Sequence, residues 1–350
     1  METAQEVERQ KAELARLAAE AAARRTFGDA IAQWGKLELS WRKNGGREGM
    51  RMLNKDVLPI LGDVALVDVK RAMLVDILDG VVERGARIVA NRLFADLRQF
   101  FNFAVTRDWV EAHPLAGLSR EKIGGREKER ERYLSEEEII ELNKRLPAAK
   151  LSRTTELAIW IMLSTCCRIG ELSQTRWEEM NLDSGEWLIP AGNSKNAKDH
   201  LIFLSDFTKE QFQALYTISA GSGWRLTSRG GERFASSTSI SSQIRDRVRS
   251  TPVHGRAKAT KSLLLSSGSW TPHDLRRTGA TMMGELGIMG EVIERCLNHV
   301  ERNSLKRIYQ HHELKAERRE AWRLLGERIT LLLTVGDEGN VILGRFAQTA

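Results

Sequence analysis

The chain has 350 residues, 41% of them apolar, with a mean hydropathy of −0.37 and 54 Lys and Arg against 47 Asp and Glu, a formal net charge of +7. That length suggests about two domains, and no stretch approaches the roughly 18 uninterrupted apolar residues of a membrane span. Three cysteines, two of them adjacent at Cys166 and Cys167, exclude a disulfide framework and a CxxC zinc site.

Residues 1–25 read as a solvated, Ala/Glu/Arg-rich helix with Val7, Leu14 and Leu17 as its apolar positions. It is a linker helix or the remnant of something longer, and it has no signal-peptide core. Thr26 and Asp29, at capping-box spacing ahead of Ala30, Ile31 and Trp34, open a helical unit over residues 26–115. Arg47 to Val57, Lys70 to Glu83 and Ile88 to Thr106 each show three-to-four spacing, and nothing in this unit alternates like a strand. Residues 116–133 contain LSREKIGGREKERER, with almost nothing to bury, and read as a basic linker.

A second unit, residues 134–330, opens on Ser135 and Glu138 at capping-box spacing. A buried helix follows from Thr155 to Cys167, with the two cysteines packed inside it. Two short β-like runs, Glu186 to Pro190 and His200 to Leu204, flank the polar loop AGNSKNAKD and predict a hairpin. Between Arg225 and Lys261 nine basic residues face only Glu232 and Asp246. Helices resume near Pro272 and run to Ile329. The tail, 331–350, carries a candidate strand at Val341 to Phe346. The fold class is mainly α with a small β-sheet or hairpin.

A metal-dependent hydrolase needs clustered carboxylates or His and Cys ligands, and an NTPase needs a GK[ST] phosphate loop. Neither is present, so no metal and no cofactor are expected. His311 and His312 are adjacent and point about 100° apart on a helix, a poor ligand pair. What stands out is a dispersed cationic set. Arg168 ends the buried helix, with Glu171 three residues on as an ion-pair partner. Lys195 sits near the hairpin tip, where a solvated lysine is also ordinary. His273 and Arg276 in TPHDLRRTGAT share a face at a helix start that favours anions. His299 falls at a break between helices, where a buried structural His is the usual explanation, and Tyr309 on the next helix reads equally as a half-buried aromatic.

Taken in order, Arg168, Lys195, His273, Arg276, His299 and Tyr309 give the sequence a resemblance to the tyrosine recombinases, within them the phage and pathogenicity-island integrases. The segments that carry it are TCCRIGELSQTRWEEMNL, WLIPAGNSKNAKDHLIFLS, TPHDLRRTGATMMGELG, EVIERCLNHVERNSLKRIY and HHELKAERREAWRLLGERI, with FFNFAVTRDWVEAHPL resembling the last helix of the core-binding domain. It covers about Thr26 to Ile329. Two departures are visible: Cys166 and Cys167 stand where a Thr-Gly pair is usual, and Asn298 precedes His299 where Gly is frequent.

The resemblance implies a helical core-DNA-binding domain (26–115), a basic linker and a mixed α/β catalytic domain (134–330), with the first 25 residues either the remnant after the arm-binding domain such integrases usually carry or part of a lineage without arm binding. It also implies a 3′-phosphotyrosyl intermediate and a Holliday junction in the site-specific recombination of a mobile element. Tyr309 is then the nucleophile, ahead of Tyr133 and Tyr216, and Arg168 and Arg276 clamp the phosphoryl oxygens. Lys195 protonates the leaving oxygen, His273 assists proton transfer and His299 hydrogen-bonds the phosphate. Glu171 orients the site and His200 positions the hairpin. The implied partners are double-stranded DNA attachment sites, three further copies in a tetramer that the tail helps to join, and DNA-bending accessory proteins. There is no membrane partner, and the expected location is the cytoplasm, at the bacterial nucleoid. A type IB topoisomerase-like enzyme and a noncatalytic DNA-binding protein of the same fold are the alternatives. The net charge divides unevenly, +5 over residues 134–330 but only +1 over 26–115.

Overall fold

The computed structural model describes residues 24–42, 44–219, 223, 226, 235–256, 259–299 and 313–338, with side chains described through 334. The expected helix over residues 1–25, Tyr309, His311 and His312, part of the basic stretch after Arg225, and the Val341 to Phe346 strand therefore lie wholly or almost wholly outside the described residues. The chain divides into two compact units, Met1–Arg130 and Glu131–Ala350.

The α-helices of the first unit's described residues are α1 (Phe27–Leu37), α2 (Arg47–Asp56), α3 (Leu58–Leu61), α4 (Arg71–Glu83), α5 (Arg87–Thr106) and α6 (Arg120–Ile123), and the unit has no strand among those residues. Thr26 caps α1 by accepting from the Asp29 amide at 3.1 Å, which satisfies one of the four amides a helix start leaves unpaired. Aromatic rings fill the core, with the Phe100 ring 5.2 Å from Phe27, 5.8 Å from Trp34 and 5.0 Å from Phe101, all edge to face. The stretch after residue 115 buries more than its composition suggests. Leu118 and Ile123 pack on this core, and Asn91 accepts from the Gly124 amide at 3.1 Å while donating to the Gly125 carbonyl at 3.1 Å. The α6 turn is thereby docked, and residues 126–131 are the exposed part.

The second unit holds α7 (Glu136–Arg145), α8 (Arg153–Thr165), α9 (Ile169–Ser173), α10 (Asp206–Ser219), α11 (Ser237–Val248), α12 (Pro272–Glu285), α13 (Gly290–Cys296) and α14 (Lys315–Glu338). A capping box at Ser135 and Glu138 starts α7. α8 is buried on all sides, with α10 and α12 packed against it, and α14 lies against α7, α10 and α13. α14 continues past Ile329 into what composition marks as tail. The sheet is antiparallel in the order β1 (Met180–Asn181), β2 (Glu186–Ile189), β3 (His200–Phe203), with Ile189 opposite His200 and Glu186 opposite Phe203. β1, paired to β2 through Met180 and Trp187, adds a strand to the expected hairpin.

The two cysteines are not inside the helix as expected. α8 stops at Thr165, and Cys166 adopts the left-handed conformation (φ 57°) as its cap, a position that favours glycine. The turn leaves no room behind it. A Cβ on Gly279 of α12 would sit 2.5 Å from Cys166 Sγ and 2.7 Å from the Leu163 carbonyl, so only glycine lets α12 approach.

Candidate active site

Arg168 follows the reversal at Cys166 and begins α9. Glu171, buried beneath it, takes the Arg168 amide at 2.9 Å with one oxygen and Nη1 at 2.7 Å with the other. The ion pair expected from the spacing is therefore made, and it also caps the helix. It fixes the root of the guanidinium while occupying one of its five donors. Arg168 remains partly open to solvent.

α12 starts with Pro272 and its own capping box. The Thr271 amide donates to Asp274 at 2.9 Å, and Asp274, fully buried, pairs with Arg277 at 3.0 Å. The helix start that composition offered to an anion thus already holds a carboxylate, so side chains rather than this terminus must take a phosphate. His273 is exposed, but the protein strips part of its hydration and the Arg277 and Arg276 cations repel a proton, so its imidazole lies below the ordinary pKa.

Arg276, one turn further, is only 4% exposed. It donates to two backbone carbonyls from different parts of the chain, Cys166 and Leu297. The first lies two residues before Arg168 and the second two residues before His299, so one guanidinium brings three of the expected residues together. Burial, and then the Arg168 cation, lower the Arg276 pKa, though an arginine remains charged at neutral pH. Two like charges held close together are relieved by a shared anion, and a phosphate matches the forks of both.

His299 is not buried: its ring is 44% exposed, and Nδ1 lies 2.7 Å from Glu294 Oε2. The contact with this carboxylate orients the ring. Lys195 is exposed in the β2–β3 loop, whose Asn193 side chain donates to the Gln174 carbonyl at the end of α9 (3.3 Å). The apex of that loop meets Asn298 through side-chain amides. His200 on β3 is buried, hydrogen-bonded to the Cys296 backbone and 6.2 Å from the Trp322 ring, with its pKa pushed down to about 3 by burial and the Arg318 and Arg276 cations. It is a neutral strut under the hairpin. Tyr309 lies outside the described residues.

Three residues of this neighbourhood escape a reading by motif. Arg318 of α14, 7% exposed, donates to the Leu201 carbonyl and stands 5.4 Å from the Trp322 ring, locking α14 to β3. Its signal is a basic residue four before a tryptophan on a helix. Glu294 is signalled only by its nearness in sequence to His299, and Asn298 by the exchange of a frequent glycine. Among the described residues no group of three or more His, Cys, Asp or Glu side chains is placed to hold a metal, and no helix is long and apolar enough to cross a membrane.

Comparison with known proteins bears on the same residues. Residues 132–315 match the Phage integrase family and residues 27–121 the Phage integrase central domain. The chain is 25% identical over 298 residues to the prophage integrase IntA of Escherichia coli (strain K12), covering 85% of this chain and 67% of that one. It is 27% identical over 235 residues to the prophage integrase IntZ of the same strain, covering 66% and 58%. With the integrase of Shigella phage Sf6 it shares 23% identity over 280 residues, covering 80% and 69%. The fold matches a lambda integrase (75-356) dimer bound to a COC′ core site, with a TM-score of 0.63 and 19% identity over 79% of this chain and 96% of that one. A lambda integrase tetramer bound to a Holliday junction gives 0.63 and 18%, covering 81% and 77%. The Tn1549 transposon integrase (aa 82-397) in complex with circular intermediate DNA gives 0.55 and 16%, covering 84% and 98%. Since one family match spans more than half of the sequence and includes the clustered arginines, the Lys195 loop and His299, the chain belongs to the phage integrase family.

Proposed function

We propose that this chain is a site-specific DNA strand transferase of a mobile element, cutting and rejoining DNA through Tyr309. The observation that supports this most directly is the buried Arg276 fork, which joins the Arg168 turn to the His299 turn and leaves two cations side by side for one phosphate. Tyr309 Oη attacks the scissile phosphorus, a bond to the 3′-phosphate forms and the bond to the 5′-oxygen breaks. The phenol, with a pKa of about 10, loses its proton as it attacks, and neutral His273 accepts it. Lys195 gives a proton to the departing 5′-oxygen. Arg168, Arg276 and His299 stabilise the charge that grows on the nonbridging oxygens, where each such donor is worth about 10²–10³ in rate. Rejoining is the same sequence reversed, so the bond energy is kept in the phosphotyrosyl ester.

Residues 26–115 serve as the core-DNA-binding domain and 134–330 as the catalytic domain, with the exposed basic linker residues near phosphates. Strand exchange between two duplexes, each cut on both strands, requires four copies on DNA and paired attachment sites, and DNA-bending proteins at the nucleoid are candidate partners. Incubation with a nicked substrate that loses its 5′-hydroxyl fragment tests the chemistry. Wild type should accumulate a covalent protein–DNA adduct and Tyr309→Phe none; an adduct that persists in the variant would overturn the assignment.

A further inference from the structure

The loop that carries Lys195 is fastened on every side. At its neck the Ala191 amide donates to Asp199 Oδ1 at 2.7 Å, and Asn193 reaches the end of α9. At its apex the two residues flanking Lys195 both join Asn298. Asn196 Nδ2 donates to Asn298 Oδ1 at 2.9 Å and to the Asn298 carbonyl at 3.2 Å. Asn298 Nδ2 donates in return to Ser194 Oγ at 3.0 Å and Asn196 Oδ1 at 3.3 Å, and Ser194 Oγ donates to Asn196 Oδ1 at 2.6 Å. The backbone carbonyl fixes which way the Asn196 amide points, and the remaining bonds follow from it. Asn298 is left-handed (φ 49°), a conformation asparagine adopts readily. Leu297, Asn298 and His299 thus stand in a row: the first accepts from Arg276, the second grips the Lys195 loop and the third carries the imidazole.

We propose that Asn298 is a positioning residue that acts through Lys195, its amide latch with Asn196 and Ser194 setting where the general acid stands relative to the arginine pair. The proposal rests on the reading of Lys195 as the acid. A lysine has a long, freely rotating stem, so its proton is delivered to one oxygen only if the backbone below it is held. The latch supplies that hold from the segment that Arg276 also ties down.

The test uses the full-length chain and two nicked substrates, one with oxygen and one with sulfur at the scissile 5′ bridging position. A thiol has a pKa of about 8.5, so a thiolate leaves without a proton and the sulfur substrate bypasses the acid. Asn298→Gly keeps the left-handed backbone and its carbonyl but removes the amide; Asn196→Ala removes the other half. Each should slow adduct formation on the oxygen substrate roughly tenfold, within the 10²-fold that an ångström of misplacement costs, and by less than about threefold on sulfur. The double variant should be no slower than the slower single, since both break one latch. Equal slowing on both substrates, or none on either, overturns the latch. Lys195→Ala is the control for the underlying reading: its failure to gain from sulfur overturns the acid assignment and the latch with it, whereas its rescue beside unrescued Asn298→Gly overturns the latch alone.

Discussion

The first unit fills its interior with Phe27, Trp34, Phe94, Phe100 and Phe101, and its buried polar side chains, Asn91 and Asp96, hold backbone or pair with Arg42. The second unit buries Glu138, Glu171, His200, Asp274, Arg276 and Arg318 in a core of similar apolar quality. Desolvating a charge is expensive, and a hydrophobic core needs none. Some of the second unit's charges have local work, as Glu138 does in capping α7 and pairing with Arg132 at 2.6 Å. Glu171, Arg276 and His200 gather instead around one place, and Arg276 spends donors on two carbonyls that no regular element serves. On the function proposed above, the contrast teaches that in the first unit stability and binding can be altered separately from chemistry, whereas in the second unit they share atoms.

Replacing Arg276 is the strongest way to break that comparison. Arg276→Lys keeps a cation but cannot bridge both carbonyls. Adduct formation should fall by about 10²–10³-fold, and the second unit should lose about 1–3 kcal/mol as a buried acceptor goes unpaired. Calorimetry and adduct kinetics on the same preparation check both, and a variant that loses rate with an unmoved transition would separate what the comparison joins. Phe100→Ala should cost the first unit about 3–5 kcal/mol and weaken DNA binding. Adducts formed at saturating DNA should keep their wild-type rate, and a loss of that rate would show chemistry reaching into the first unit.

The effect that is smallest at neutral pH sharpens the contrast through acid. His200 stays neutral in the folded chain down to about pH 3 and takes up a proton near pH 6.5 once unfolded. Its contribution is complete above about pH 6.5 and drains away at about 1.4 kcal/mol per pH unit as acid is added towards pH 3. The acid limb of thermal stability should be shallower in His200→Gln than in wild type. Identical limbs would remove His200 from the list of buried groups that matter.

Local rules made much of the fold legible. Thr26 and Ser135 cap helices because a short oxygen three residues before an acidic partner satisfies free amides wherever it occurs. The hairpin is readable because two short apolar runs of β-type residues flank a polar loop. β1 is not, because two residues cannot display a period. The cysteines mislead: an apolar run reads as continuous helix, and only the packing of α12 reveals the reversal at Cys166. Of the site, the residue types and their order are legible, whereas what holds them is not. Asn298 in place of glycine reads as a neutral exchange of two residues that tolerate positive φ, and its amide bonds depend on a loop about a hundred positions away.

The double duty proposed for Arg276 bears on how such a gene would decay. A copy freed from recombination is under no pressure to keep Lys195, whose side chain is exposed among the described residues. Arg276 is different, because losing it unpins the Cys166 and Leu297 turns and threatens the solubility of the product. Degenerate relatives that still make a folded protein are therefore expected to retain the buried arginine long after the lysine has drifted, leaving an arginine fork as the last trace of lost catalysis.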